Sequence, residues 1–365
     1  MMEWRLADPN DPAPLAGLRV LDLSELLPGP FMTQSLVELG ADVIKLERPP
    51  QGDPLRRASP ALFVAVNRGK RALRVDLKTE AGLATVLALA EAADVMVESF
   101  RPGVIAKLGL DWPRLHALNP RLVLASLSGY GASGPRAQWP GHDLNYLAAA
   151  GVVGMAMKDD AASPSFGVPV ADLAGATYAL AAVQSALLQR VRTGRGQHLD
   201  ISLTDCAAHW MNPRLAALHD AGGDAARARR AVQQRPAYGT FRCSDGRALT
   251  VAALEDHFWR ALVTALPLPA FDAPAFAHYP SRARDAADIN AAIAAALAQE
   301  DSTTALARLA AADVPVAEVT ALEELSASPA LAGRQGFVDT DAGPLLRFPV
   351  ALEGVSAAVA RLAAP

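Results

Sequence analysis

The chain has little sulfur and no basic surplus. Its 365 residues include two cysteines, Cys206 and Cys243, without C-x-x-C spacing. Neither a disulfide framework nor a zinc ligand set is expected, and a reducing compartment fits best. A formal net charge of -4 and a pI of about 6.0 provide no general field for nucleic acid or an anionic membrane surface, so any anion must be held locally. The opening M-M-E-W-R-L-A-D-P-N-D-P is acidic and has no apolar signal-like core, and no run reaches the uninterrupted apolar length of a membrane span. The closing R-L-A-A-P is no peroxisomal address. These absences give the expectation of a cytoplasmic protein with no nucleic-acid or membrane partner. The first strand-to-helix turn carries Pro28-Gly29-Pro30 where a dinucleotide fingerprint would read G-x-G-x-x-G, which disfavours a nicotinamide or flavin enzyme.

What is present is a regular alternation of strand and helix patterns. Short apolar runs at L-R-V-L-D-L-S, D-V-I-K-L-E, R-A-L-R-V-D-L, D-V-M-V-E-S and R-L-V-L-A-S-L-S are separated by helical spacing, notably from Phe31 to Leu39 and from about Thr79 to Ala92. This predicts an α/β fold, a doubly wound Rossmann-like parallel sheet, with ligands beyond the carboxyl ends of its strands. A small-residue helix is expected from Asp172 to Arg192, stopped at Thr193-Gly194. The composition changes between Gly222 and Arg235, in G-G-D-A-A-R-A-R-R-A-V-Q-Q-R. We therefore expect a large domain over 1–222, completed by about 330–365, and a smaller α+β domain over 223–329. Its hairpin is marked by the Asp245-Gly246 turn.

The stretch from Gly141 to Asp172 carries the best candidates for chemistry. His142 sits where a loop meets a helix start, and an unperturbed imidazole titrates at about 6.5, which suits a general base. Asp172 has two compatible readings, as helix N-cap or as an acid whose neighbouring free N–H groups hold a developing oxyanion. Glu255 ends an apolar strand before a helical pattern and is equally a helix-start carboxylate. A basic set gathers near strand ends: Lys45, Arg48, Arg68, Lys70, Arg71 and Arg101. Together they predict a local anion pocket for a phosphate-bearing ligand, with Arg101 suited to grip phosphate bidentately.

These residues lie in segments that resemble the family III coenzyme A transferase superfamily (CaiB/BaiF), and within it the alpha-methylacyl-CoA racemase branch. The shared segments include P-G-P, L-G-A-D-V-I-K-L-E-R-P, N-R-G-K-R, F-R-P-G-V, S-G-Y-G-A-S-G-P, D-L-A-G-A and R-T-G-R-G-Q, nearly the length of the chain. The racemase branch is indicated by G-H-D-L-N-Y, which supplies His142, and by A-L-E, which supplies Glu255. The resemblance implies an interlocked homodimer, with His142 and Asp172 from one chain and Glu255 from the other. It puts the ADP part of coenzyme A on Lys45, Arg48, Arg68, Arg71 and Arg101, and the thioester over Gly129, Tyr130 and Gly131. No cofactor beyond the coenzyme A of the substrate thioester and no metal is expected.

The reaction expected on this basis is racemisation of 2-methylacyl-CoA thioesters. His142, steered by Glu255, takes the alpha proton from one face, and Asp172 returns one to the other. Aspartate near 3.9 would be ionised beside a neutral histidine, so burial must raise Asp172 for the scheme to work. The alternative is a coenzyme A transferase with Asp172 as the acylated nucleophile. A third possibility is a thioester-binding protein without chemistry.

Overall fold

The computed structural model describes residues 3–5, 11–157, 166–334 and 336–351. Contacts divide the chain into two units, Met1–Asn212 with Ala332–Pro365, and Pro213–Leu331. The first is built on six strands: β1 (Arg19–Asp22), β2 (Asp42–Glu47), β3 (Arg71–Arg74), β4 (Val95–Glu98), β5 (Val123–Ser128) and β6 (His198–Ser202). They form one sheet in the order β3-β2-β1-β4-β5-β6, and every pairing is parallel.

Both faces of this sheet are covered, as the continuous apolar runs require. Alternate residues of a strand point to opposite faces. Val123, Ala125 and Leu127 of β5 pack with Val20, Val43 and Val97 beneath the helices Pro28–Glu38 and Val170–Thr193. Leu122 and Leu124 turn the other way, joining Leu21, Ile44 and Met96 against the helices Glu80–Ala92 and Trp112–Leu118. Each such fully buried aliphatic side chain contributes about 1.5–3 kcal/mol relative to exposure.

The two proline residues at 28 and 30 fix φ where the first N–H groups of a helix have no partner, so P-G-P starts a helix rather than cradling a dinucleotide. That helix stops before Gly40, whose φ of 103° is open to glycine at little cost. The Val170–Thr193 helix is 24 residues long and apolar enough to cross a membrane by length, against the expectation that no segment is. Its small residues serve another purpose, because Ala174, Ala176, Ala179, Val183 and Ala186 are buried on one face. A Cβ added at Gly175 would lie 2.1 Å from a Leu203 methyl, so any larger residue would force the Leu203 side chain to move against the helix Leu203–His209.

The second unit holds an antiparallel sheet of β7 (Tyr238–Arg242), β8 (Ala248–Ala252) and β9 (Val316–Glu318). Residues 243–247 close the β7–β8 hairpin, with Gly246 at φ 80°. Trp259, Leu262, Ile289, Ile293 and Leu309 fill its core. The run from Gly222 to Arg235 is largely the exposed helix Ala225–Gln233. The final hairpin, β10 (Phe337–Thr340) and β11 (Gly343–Leu346), belongs to the first unit. Arg68 donates to the Leu346 carbonyl at 2.9 Å, and the Phe348 N–H to Glu38 at 2.5 Å.

Candidate active site

A cavity of about 560 Å³ opens at the carboxyl ends of β1, β4 and β5. Strand order reverses between β1 and β4, so the connections leave on opposite faces and a crevice forms between them. Its walls include Glu25 and Leu26 after β1, residues 99–102 after β4, Ser128 and Gly129 at the end of β5, and His142, Tyr146 and Asp172.

His142 is exposed and occupies the N-cap position of the helix Asp143–Ala149. Its backbone N–H donates to Asn145 Oδ1 at 3.0 Å, which orients the start of the helix, and the residue lines the cavity. One turn on, the Tyr146 hydroxyl donates to the Gly141 carbonyl at 2.5 Å and so pins the loop that carries His142. Burial and the nearby Asp172 push the Tyr146 hydroxyl up to about 12, so it stays a donor. A Cβ at Gly129 would fall 2.2 Å from the Tyr146 ring, which ties the end of β5 to the same support. Of the loop expected beneath a thioester, Gly129 lines the cavity. Tyr130 instead packs edge-to-face on Tyr146 at 5.2 Å, and Gly131 is buried against Ser202.

Asp172 lines the same cavity but is not the cap of its helix. The helix begins at Val170 after the N-cap Pro169, and Asp172 stands in its first turn. Capping comes from Asp143, whose Oδ1 accepts from the N–H groups of Ala171 at 2.7 Å and Asp172 at 3.2 Å. A proline cannot cap by side chain, so a carboxylate distant in sequence satisfies these donors. Two N–H groups at the helix start, the place expected to receive an oxyanion, are therefore already engaged. Burial, and then the Asp143 carboxylate, raise Asp172 from 3.8 to about 7. This is the shift that an acid working near neutrality needs.

The basic set does not converge as expected. Lys45 is buried within β2, ion-paired to Asp53 at 2.9 Å and bonded to the Ser24 carbonyl at 2.8 Å. Arg68 and Arg71 lie before or at the start of β3, at the amino edge of a parallel sheet, away from the cavity. Arg68 pairs with Glu38, and Arg71 with Asp42 through a 3.1 Å contact. Lys70 is buried on Asp22 at 3.0 Å and also reaches Thr33 at 2.7 Å. Arg48 and Arg101 follow β2 and β4, are exposed, and among the described residues make no ion pair; Arg101 lines the cavity. Of the expected set, only these two offer free positive charge at the carboxyl edge.

Glu255 belongs to the second unit. It is the exposed N-cap residue of the helix Asp256–Ala265 and makes no side-chain cap bond, while the neighbouring Asp256 binds His278, Tyr279 and Arg282. Met155, Met157 and Met211 are not among the cavity walls. Sequence reasoning also missed Glu25, the first charged residue after β1, and gave Asp143 no role. Among the described residues no group of three or more His, Cys, Asp or Glu side chains has the arrangement of a metal site.

A parallel sheet with a titratable cavity at its topological switch point defines an α/β enzyme. The family model for CoA-transferase family III matches residues 15–365, and the chain belongs to that family. A CaiB/BaiF family protein from Brucella suis superposes with a TM-score of 0.84 at 32% identity, covering 96% of this chain and 95% of that one. An acetyl-CoA:oxalate CoA-transferase of Acetobacter aceti is 31% identical over 362 residues, 97% of this chain and 92% of that protein. A succinate–glutarate CoA-transferase of Agrobacterium fabrum is 40% identical over 210 residues, 54% of this chain and about half of that protein, 52%. An alpha-methylacyl-CoA racemase of Homo sapiens is 34% identical over 277 residues, 71% of this chain and 66% of the racemase. Relatives thus include both reaction types.

Proposed function

We propose that the chain is a racemase or epimerase of 2-methylacyl-CoA thioesters that needs no cofactor. The observation that carries this reading is the pairing of an exposed imidazole, His142, with a carboxyl held to about 7, Asp172, on the walls of one cavity. His142 takes the alpha proton and leaves an enolate whose charge is spread onto the thioester oxygen. The protonated Asp172 delivers a proton to the opposite face of the same carbon. Exchange with water then resets both groups, and the roles reverse for the other hand. In this reading the enzyme is an interlocked homodimer in the cytoplasm, and Glu255 of a second copy steers His142. The phosphates of coenzyme A lie by Arg48 and Arg101.

A second reading, a coenzyme A transferase, is favoured by the match to the oxalate enzyme over 97% of the chain. Asp172 would then attack the thioester, form a mixed anhydride and become an aspartyl-CoA thioester before the acceptor carboxylate arrives. Proton NMR in deuterium oxide separates the two. Loss of the alpha-proton signal of (2R)-2-methylacyl-CoA without an acceptor, abolished in His142→Ala, is expected of the racemase. New thioester formed only after a free carboxylate is added, with Asp172 trapped by hydroxylamine, would overturn it.

A further inference from the structure

We propose that Glu25 is a binding residue for the pantetheine arm of the ligand, accepting a hydrogen bond from one of its amide N–H groups. This rests on the reading of the ligand as a coenzyme A thioester, though not on racemisation. Glu25 is the only residue of the β1 turn that brings a charge to the cavity wall, and it stands there with Asp172. It also lies within electrostatic reach of Arg48. It thus shares the cavity wall with the carboxyl that would meet the reacting carbon and feels the charge of the arginine that would meet phosphate, and a pantetheine chain must link those two ends of the ligand.

The backbone beneath it is tightly held. The Glu25 N–H donates to Ser99 Oγ at 3.0 Å, and the preceding carbonyl of Ser24 accepts from buried Lys45 at 2.8 Å. Ser24 is further bonded to Asp22, and the following Leu26 sits at φ 63°, a left-handed conformation that costs a branched residue energy. A strained turn maintained by buried ion pairs thus fixes the backbone from which the Glu25 side chain reaches the cavity wall. Yet among the described residues no donor reaches its carboxylate. Burial raises its proton affinity, as does Asp53, the mark of a half-buried carboxylate short of a partner. An amide N–H of the ligand supplies that donor. The arm's amides are also the groups that would otherwise lose water in the crevice without compensation.

Binding of free coenzyme A by calorimetry tests the assignment without any turnover. Glu25→Ala is expected to weaken the dissociation constant roughly 10- to 100-fold, the usual loss for a hydrogen bond to a charged group. Glu25→Gln, which keeps an acceptor oxygen, is expected to restore most of it. In turnover the loss should fall on KM with kcat nearly unchanged. Unchanged affinity of Glu25→Ala for free coenzyme A, with the variant folded by its melting curve, would overturn the assignment. So would a loss confined to acyl-CoA, which would place Glu25 on the acyl group. Failure of alpha-proton exchange in the unmodified enzyme would instead count against racemisation and leave this result standing.

Discussion

Asp143 Oδ1 lies 2.7 Å from the backbone nitrogen of Ala171 and 3.2 Å from that of Asp172, so one carboxylate caps the helix that carries the candidate acid. The same residue follows His142 directly. The candidate base and acid are thereby joined through a single side chain, though they stand 30 positions apart in the numbering of the sequence.

Asp143→Asn and Asp143→Ala should disturb that link in two separately measurable ways. Removing its charge takes away a cause that raises Asp172, so the acid-requiring limb of a pH–rate profile for alpha-proton exchange should move to lower pH. Asparagine caps about as well as aspartate, so the cap itself is read from Asp143→Ala, which should cost about 1 kcal/mol in urea unfolding. A profile superposable on the parent would show that Asp143 has no hold on Asp172.

The raised value of Asp172 makes stability depend on pH. The folded protein keeps this proton up to about 7, whereas an unfolded aspartate loses it near 3.8. The group's stabilisation is complete below about 3.8 and is lost as pH rises through about 7. Asp172→Asn, which cannot ionise, should therefore be more stable than the parent at pH 8, on the order of 1–2 kcal/mol after allowance for screening. That advantage should vanish toward pH 4. Denaturant titrations at the two pH values check the sign.

Lys70 and Asp22 form a pair removed from water. Burial alone would raise Asp22, but Lys70, Lys45 and the hydroxyls of Ser24 and Thr33 outweigh it and hold the carboxyl well below the usual range. Lys70→Ala leaves that carboxylate uncompensated and should cost about 3–5 kcal/mol. Removing both charges in the double variant Asp22→Asn, Lys70→Met should cost less than Lys70→Ala alone, as chemical denaturation would register.

Gly129→Ala should displace the Tyr146 ring, since its Cβ would sit 2.2 Å away. Because the Tyr146 hydroxyl holds the Gly141 carbonyl, the loop bearing His142 moves with it. Turnover should fall by at least about tenfold, as expected when a reacting group shifts by a fraction of an ångström to an ångström. A variant with full activity would show that Tyr146 does not set the position of His142.

Much of the scaffold could be read in advance because burial on both faces leaves a plain signal. D-V-I-K-L-E is a strand over Asp42–Glu47 as its apolar pattern predicts, and Gly194 ends the long helix. That helix starts two residues before Asp172, where its pattern begins, because the cap that fixes it comes from Asp143, a tertiary contact invisible to local pattern. The basic residues were grouped too generously for a related reason. Their nearness to strands is legible, but a parallel sheet separates residues that follow a strand, such as Arg48 and Arg101, from those that lead into one, such as Arg68 and Arg71. Direction along the strand was the signal available. Glu25 could have been found by the same rule, as a charge directly after the first strand.

The buried pairs Lys45–Asp53 and Lys70–Asp22 lie under the β1 turn that borders the cavity. Their charges cancel in place, so they hold that turn with fixed dipoles and add no net charge beside the cavity. The polarisation of the backbone bordering the cavity is therefore completed during folding, and little reorganisation of those dipoles is needed when charge develops nearby.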